Sequence, residues 1–440
     1  MWRRIRIGLL VTVAAALAVV TWQFLFPAPA LLTEGGDYGP TPQLVAPQTS
    51  LVPTVRPAKA VGWPAGAMPS PASGLEINAF VSGLDHPRWL YVLPNGDVLV
   101  AESNAPAGSG LCSEMKNLAA SVVLKYGGAR TESADRITLH RDNDGDGAAD
   151  ESHVFADGLH SPFGMALIGE DLYVANADAV LRFTYTPGLT SLTTAPEVIA
   201  NLPSGRNHHW TKNILPSADQ QSLFVTVGSN SNVGECGPDV EEGRAAIHRI
   251  DLETGRIERF AHGLRNPVGM ALEPSTDTLW TVVNERDELG SDLVPDYATS
   301  VREGDFFGWP YTYYGANPQP KLDSRWPDDH PPARSPDYAV GAHTASLDIE
   351  FSYDSALPDR WRSGLFVSQH GSWNRQPHSG YRVIYIPFTN GAPDGMPEEI
   401  VGGFLDADGN ARGRPAGLTI DSTGALLIAD DVGNVIWRVK

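Results

Sequence analysis

Cysteine is nearly absent from this chain, which holds only Cys112 and Cys236. The two lie far apart, and neither has a second cysteine nearby, so a thiolate metal knuckle is excluded. In an exported protein the pair can close one disulfide, but the spacing alone leaves paired and free thiols both open.

Basic residues are also scarce, with Lys+Arg 32 against Asp+Glu 52 and a formal net charge of −20. A phosphate backbone would be repelled on average, which argues against a nucleic-acid partner. The acidic balance is typical of a soluble surface, and it also suits a protein that collects divalent cations.

Long apolar runs are limited to one, the 20 uncharged residues from Ile7 to Phe26 that follow Arg3, Arg4 and Arg6. That length spans a bilayer core as a helix, and the preceding arginines predict that the rest of the chain is translocated. A cleaved signal peptide is the alternative, because small residues follow the run. We favour a signal anchor over residues 1–26, contact with the membrane through this segment, and a periplasmic or other extracytoplasmic location with residues 7–26 in the inner membrane.

Residues 27–73 are rich in Pro, Ala, Thr and Val without steady periodicity. Such a composition is typical of a semi-extended linker. We therefore expect the folded domain to cover residues 74–440.

Gly and Pro are abundant, at 44 and 35 residues, and they interrupt every window long enough for a helix. After residue 74 one pattern of turn, short apolar strand, turn and apolar strand recurs six times, beginning at Gly83, Gly158, His208, Gly263, Arg360 and Gly413. Repeats of this kind are typical of propeller blades. The sequence predicts an all-β, six-bladed β-propeller, closed by pairing NVIWRV at the end of the chain with LEINAFV near residue 78, in preference to a β-sandwich.

The loops of these repeats carry more polar residues than turns require. In a propeller the loops that enter the inner strands converge at one end of the axis, so these side chains are candidates for one site. They are His208, His209, Arg265, Asn266, Asn284, Glu285, His370, Arg412 and Arg414. Together they supply a base, several guanidinium groups and amide donors, which suits an anionic planar ligand and an oxidisable or hydrolysable substrate.

In their order, the segments HHWTKN, GLRNPVGMAL, VVNERDELG, EGDFFGWP, SQHGSWNR and ARGRPAGL resemble the soluble quinoprotein sugar dehydrogenases. The likeness covers residues 75–439 and is greatest to the sorbosone dehydrogenase relatives, which use pyrroloquinoline quinone (PQQ). It implies a PQQ cofactor and a small-molecule sugar or aldehyde substrate.

The resemblance also implies roles for single residues. His209 would be the general base, with a pKa suited to neutral pH. Arg265 would stabilise a developing oxyanion, and Asn266 would contact the quinone. Arg412 and Arg414 would hold cofactor carboxylates.

The resemblance also implies a metal site, and two positions depart from the family pattern. The backbone carbonyls of Glu285 and Arg286 match the place where relatives bind the Ca²⁺ that grips PQQ. His370 stands where the glucose enzymes have a cofactor-binding Lys, so we expect it to contact the cofactor. Ser229 stands where they have an Asp behind the base.

A second metal signal is DNDGDGAADE at residues 142–151. Asp142, Asp144 and Asp146 alternate before Gly147, and Asp150 follows, so their carboxylates can face one ion. Without a cation they would repel one another. We predict a structural Ca²⁺ here; the alternative is a solvated acidic turn.

These observations predict a PQQ- and Ca²⁺-dependent oxidoreductase that oxidises a sugar or sugar aldehyde and passes electrons to a quinone or cytochrome. Two alternatives stay open. One is a Ca²⁺-dependent propeller hydrolase resembling sugar lactonases, and the other is a binding propeller without catalytic activity.

Overall fold

The computed structural model describes residues 28–33, 35–49, 54–110, 112, 122–129, 131–322 and 324–440. Six antiparallel sheets of four main strands each form a ring, and the predicted six-bladed β-propeller is confirmed. From the innermost strand outward the blades are blade 1 (Pro87–Val92, Val98–Glu102, Arg136–Arg141, Glu151–Ala156), blade 2 (Met165–Ile168, Asp171–Ala175, Ala179–Thr184, Glu197–Asn201), blade 3 (Ile214–Pro216, Ser222–Val227, Ala246–Asp251, Ile257–His262), blade 4 (Pro267–Glu273, Thr278–Val283, Pro295–Val301, Tyr338–Ala342), blade 5 (Ser346–Phe351, Gly364–Gln369, Arg382–Thr389, Glu398–Gly402) and blade 6 (Pro415–Ile420, Leu426–Asp430, Val435–Val439, Ile77–Ser82).

The ring is closed by residues from opposite ends of the chain. The outermost strand of blade 6, Ile77–Ser82, pairs antiparallel with the last strand, Val435–Val439, as the sequence predicts. The innermost strand of blade 6 packs against the innermost strand of blade 1. The closure leaves no open sheet edge between the first and last blades.

The second strand of each blade is buried on both faces, because neighbouring blades cover it. Val98–Glu102, Leu426–Asp430 and Gly364–Gln369 are buried throughout their length. This environment explains why these strands are continuously apolar instead of alternating.

Glycines in the repeated motif let innermost strands approach one another. A Cβ on Gly269 would lie 2.6 Å from the Cα of Asp348 in blade 5. A Cβ on Gly417 would lie 2.8 Å from the carbonyl oxygen of Arg88 in blade 1. The recurring Pro-x-Gly therefore serves close contact between blades as well as turning.

Short elements complete the fold. They are the edge strands Tyr38–Gly39 on blade 4 and Ser70–Pro71 on blade 5, the strand Ala392–Pro393, the hairpin of Thr312–Tyr313 with Asn317–Pro318, and the 3₁₀ turns Pro238–Val240 and Asp359–Trp361.

The described residues between 28 and 73 lie along the propeller, although the composition predicts a linker. The amide of Ala30 donates to the carbonyl of Gln376 at 2.7 Å, and that of Gln48 donates to the carbonyl of Leu289 at 2.9 Å. Free edges and loop carbonyls can pair with an extended Pro-rich chain, which composition alone does not reveal.

No helix in the described part of the chain is both long and apolar enough to cross a bilayer. The predicted anchor, residues 7–26, lies outside the described residues.

Each blade places its loops on two faces. The connections between second and third strands, and those between successive blades, lie at one end of the axis, which we call the upper face. The remaining hairpin turns lie on the lower face, because the strands are antiparallel. On the upper face a disulfide joins Cys112 to Cys236 with a Cα–Cα distance of 5.8 Å, which resolves the alternative that the sequence left open.

Candidate active site on the upper face

Eight of the twelve predicted site residues lie in upper-face connections. His209 precedes blade 3; Arg265 and Asn266 precede blade 4; Glu285 and Arg286 follow its second strand; His370 follows the second strand of blade 5; Arg412 and Arg414 precede blade 6. The fold thus brings to one surface residues that are up to two hundred positions apart. Asp142, Asp144, Asp146 and Asp150 instead lie on the lower face.

His209 is held by the backbone of the neighbouring strand end. Its Nδ1 lies 2.8 Å from the carbonyl oxygen of Ser229 and 3.0 Å from the hydroxyl of the same residue. Since a carbonyl only accepts, Nδ1 carries the proton and donates it. The lone pair is therefore on Nε2.

The surroundings of His209 favour its neutral form. Burial holds its pKa well below the usual range, and the nearby His208 and Arg265 lower that pKa further. The His208 and His209 rings lie 4.4 Å apart between centroids. At neutral pH His209 is an unprotonated imidazole that can accept a proton.

Arg265 is buried, at 4% exposure, and its guanidinium is fixed by the protein. Nε donates to the carbonyl of Asn232 at 2.8 Å, and one terminal nitrogen donates to the carbonyls of Asn284 (3.2 Å) and Glu285 (2.7 Å). The other donates to Asn232 Oδ1 at 2.7 Å and Asp287 Oδ2 at 3.4 Å. All five N–H groups are engaged, so Arg265 offers a rigid positive charge.

Asn266 lies against His209 across Gly228. A Cβ on Gly228 would collide with Asn266 Oδ1 and lie 2.5 Å from the Cβ of His209. Only glycine at this position therefore lets the Asn266 and His209 side chains lie so close together. Asn266 is 7% exposed, and its Oδ1 has no hydrogen-bond partner among the described residues. An unsatisfied buried acceptor beside the base points to a ligand contact.

Glu285 and Arg286 are both buried. The Glu285 carbonyl, a predicted Ca²⁺ ligand, accepts the hydrogen bond from Arg265 described above. Its side chain is separately buried, and burial raises its pKa to about 7. The Arg286 side chain turns back to the carbonyl of Asp287 at 2.8 Å.

His370 belongs to an ion cluster that the sequence did not reveal. Its Nε2 lies 2.8 Å from Asp431 Oδ2, an oxygen that also accepts a hydrogen bond from Arg88 and lies 3.6 Å from His86 Nε2. Asp431 is 2% exposed, and although burial raises its pKa, the contacts with His370, His86 and Arg88 hold that pKa well below the usual range. Arg88 directly follows His86-Pro87, and loops of other repeats carry an X-Pro pair such as Asn266-Pro267; this shared position was the available signal.

The two predicted late arginines differ. Arg414 is 5% exposed and lies over the ring of Tyr381, 5.2 Å from its centroid; its guanidinium lies 3.3 Å from the Tyr381 hydroxyl. Arg412 is half-buried, and hydrogen bonds from Asn410, with a smaller contribution from the charge of Arg412, lower the pKa of Asp406 in the same loop. Arg414 is therefore the better placed of the two for an enclosed ligand.

A model of the TrAA12-like family matches residues 130–305 and 311–440, more than half of the chain. This chain belongs to that family. The matched ranges contain all twelve predicted site residues and exclude the segment before residue 77.

Similar proteins agree with this membership and with the resemblance to PQQ-dependent sugar dehydrogenases. The PQQ-dependent pyranose dehydrogenase of Coprinopsis cinerea is 24% identical over 362 residues, covering 72% of this chain but 44% of that longer protein. An uncharacterized protein of Borreliella burgdorferi is 28% identical over 305 residues, covering 65% of this chain and 77% of its own. The chain thus spans less than half of the fungal enzyme.

Solved structures support the fold. The holo PQQ domain of the Coprinopsis cinerea pyranose dehydrogenase superposes with a TM-score of 0.64 at 20% identity, covering 85% of this chain and 97% of that one. A calcium structure of the Trichoderma reesei family AA12 enzyme gives a TM-score of 0.66 at 18% identity, covering 89% and 99%.

Other residues that the sequence did not single out connect upper-face loops of blades 4 and 5. Asn374 Nδ2 donates to Asp287 Oδ1 at 2.6 Å, and His343 Nδ1 lies 3.4 Å from the same oxygen. Asp287 in turn contacts Arg265. The loop after the second strand of blade 5 is thereby tied to the arginine in front of blade 4.

The carboxylates of the predicted second metal site lie close together, but on the opposite face of the propeller from His209. Oxygens of Asp142, Asp144 and Asp146 lie within 4.8 Å of one another in the turn between the third and fourth strands of blade 1. Asp150 Oδ2 accepts the amide of Asn143 at 2.7 Å. A Ca²⁺ bound here, and its structural role, stay predictions.

Proposed function

We propose that this protein oxidises a sugar or sugar aldehyde with PQQ as the electron acceptor. The observation that carries the proposal is the placement of a neutral, backbone-oriented His209 beside Asn266 and near the fixed charge of Arg265 on one face of the propeller. The fungal relatives are PQQ-dependent sugar dehydrogenases, which points to the same chemistry.

The donor set fits the cofactor. PQQ is a planar tricarboxylate, and Arg265, Arg412 and Arg414 supply the positive charge that such an anion requires. The unpaired Asn266 Oδ1 and the half-buried His370 complete the predicted contacts. When bound, PQQ supplies an ortho-quinone that takes two electrons and a proton as hydride from the substrate carbon.

His209 handles the other proton. Its Nδ1 proton is committed to Ser229, so Nε2 accepts the proton of the substrate hydroxyl as the carbonyl product forms. The low pKa keeps this acceptor available at neutral pH, and it also makes the protonated form short-lived. The base is therefore ready again after it releases the proton to solvent.

Arg265 acts by charge. Because its N–H groups are all bonded to protein, it cannot rotate toward a new acceptor without breaking existing bonds. A positive charge held in a poorly solvated position stabilises negative charge that develops on a nearby oxygen.

Calcium at the upper face is a separate proposal. An ion on the Glu285 carbonyl would share that oxygen with the Arg265 hydrogen bond of 2.7 Å and would lie close to the guanidinium charge, which opposes its binding. We assign no step to it. PQQ affinity measured with Ca²⁺ and with a chelator tests whether the ion belongs to this site.

The decisive experiment titrates purified protein with PQQ and follows sugar-dependent reduction of a redox dye. We expect PQQ binding and turnover, loss of turnover with retained binding in His209→Gln, and normal behaviour in the lower-face control His153→Gln. Lactone hydrolysis without PQQ uptake would instead favour the hydrolase alternative, and PQQ uptake without turnover on any sugar or aldehyde would favour a binding propeller.

Export, the inner-membrane anchor and transfer of electrons to a quinone or cytochrome are part of the same proposal. Fractionation of cells that express the full chain tests the location. Recovery in the soluble cytoplasmic fraction would contradict it.

A further inference from the structure

The segment 54–64, which precedes the propeller and lies outside the family match, runs over the upper face beside Arg414. Its backbone pairs with upper-face loops at three points. The amide of Arg56 donates to the carbonyl of Trp373 at 2.6 Å, that of Ala60 donates to the carbonyl of Tyr126 at 3.1 Å, and that of Val61 donates to the carbonyl of Ala411 at 2.8 Å. Ala58, in the middle of the segment, is 1% exposed.

Trp63 is the side chain that anchors this segment. Its indole packs edge-on against Phe404 and Trp437, with ring centroids 5.7 and 5.5 Å away. Its Nε1 donates to Asp430 Oδ2 at 2.6 Å. A Cβ on Gly433 would lie 2.7 Å from Trp63 Cδ1, so the absence of a side chain at Gly433 makes room for the indole.

Asp430 connects this anchor to Arg414. The other oxygen of the same carboxylate accepts the amide of Arg414 at 2.8 Å. Asp430 is fully buried, and its remaining partners are the amide of Gly433 and the indole of Trp437. The orientation of this carboxylate therefore fixes the position of the Arg414 backbone amide.

The segment also reaches the guanidinium of Arg414. A terminal nitrogen of Arg414 lies 3.5 Å from the carbonyl oxygen of Ala58. The same nitrogen lies 3.3 Å from the Tyr381 hydroxyl. Arg414 is thus held at its backbone amide by Asp430 and at its guanidinium by the segment 54–64 together with Tyr381.

We propose that the segment 54–64 is a wall of the cofactor site and that Trp63 is a positioning residue for Arg414, so that a carboxylate of the ligand is bound only when this segment is docked. The inference rests on the proposed function, since it assigns Arg414 to PQQ. It adds a part of the chain that precedes the propeller to a site otherwise built from blade loops.

The test compares PQQ dissociation constants of full-length variants. Trp63→Phe keeps the packed ring but removes the donor to Asp430, and we expect its PQQ affinity to fall about tenfold, the size of effect that loss of a hydrogen bond to a charged group produces. Trp361→Phe is the matched control, because it removes an indole bond of 3.1 Å to Glu398 on the outer side of blade 5. Its affinity should equal that of the wild type.

Two further measurements separate positioning from general loosening. The trimethyl ester of PQQ lacks the charged carboxylates, so Trp63→Phe should bind it as well as the wild type does. The double variant Trp63→Phe/Arg414→Lys should bind PQQ no more weakly than Arg414→Lys alone, because coupled changes are not additive.

The outcomes are distinct. Wild-type protein that binds no PQQ overturns the proposed function, and this inference falls with it. PQQ binding that Trp63→Phe leaves unchanged, or an equal loss for the trimethyl ester, overturns this inference alone.

Discussion

Two half-buried histidines on the upper face, His209 and His370, differ in what holds them. His209 Nδ1 donates to a backbone carbonyl, that of Ser229, and its charged neighbour is the cation Arg265. His370 donates to the carboxylate of Asp431, which it shares with Arg88. Burial lowers the pKa of both, and that of His370 falls to about 4.

The difference separates a base from a structural hydrogen-bond partner. A carbonyl orients an imidazole without committing it to an ion pair, so the free nitrogen of His209 remains available to a substrate. The Asp431 carboxylate joins loops of blades 1, 5 and 6, so a change there disturbs packing first. Chemistry should therefore follow His209, and stability should follow Asp431.

The largest expected effect is on turnover in His209→Gln. Loss of a general base lowers kcat by about 10²- to 10⁴-fold. PQQ affinity should stay near the wild-type value, because Gln keeps a polar side chain of similar reach. Stopped-flow measurement of cofactor reduction checks this, and His370→Gln is the comparison: a loss in kcat as large as that of His209→Gln would break the distinction.

The second largest expected effect is a lower free energy of unfolding in Asp431→Ala. Removal of the carboxylate leaves Arg88 buried without its ion partner, which destabilises proteins by about 3–5 kcal/mol. The free energy of unfolding from urea denaturation measures it. A loss below about 1 kcal/mol, the range of exposed pairs, would show that the cluster is solvated.

Acid pH should separate stability from activity. The pKa values of His208 and His370 lie at about 4 in the folded protein, below the ordinary 6.5. Between these values the unfolded chain binds protons that the folded protein does not, so the free energy of unfolding falls as the pH is lowered from 6.5 toward 4. The initial rate, measured while the protein stays folded, should hold its plateau through pH 6.5, since His209 is still neutral there. An acid limb in kcat/KM with an apparent pKa at or above 6.5 would contradict the neutral base.

The smallest expected effect is that of Ser229→Ala. The side chain lies 3.0 Å from Nδ1, but the carbonyl that orients the ring belongs to the backbone and remains. We expect kcat to fall by only a few-fold, about the effect of one neutral hydrogen bond. A loss close to that of His209→Gln would mean that the hydroxyl, not the carbonyl, fixes the tautomer.

Much of the fold was predictable because its pattern is local and repeated. Turn glycines and apolar second strands recur in each blade, and Pro-x-Gly recurs in blades 2, 4 and 6. Each reflects a contact with neighbours along the chain or in the next blade. The closure through Ile77–Ser82 followed from the same pattern, since one strand remained without a blade. The behaviour of residues 28–73 was not predictable, because an extended Pro-rich chain has the same composition whether it is free or docked.

The site was predictable in part for the same reason. His209, Arg265 and Asn266 lie in loops of the repeat, so the fold had to bring them to one face. Asp431, Asp287 and Trp63 act through partners that are distant in the chain, and no local spacing marks them.

The sequence by itself determined the blades, the face on which the polar loops meet and the residue types available there, because strand alternation and turn chemistry are properties of short segments. Only the tertiary structure decided which histidine faces a carbonyl and which a carboxylate, that every N–H of Arg265 is engaged, and that residues 54–64 reach Arg414. These depend on distances between segments that are from 19 to 356 residues apart in the chain, and such distances exist only once the strands have packed into the ring.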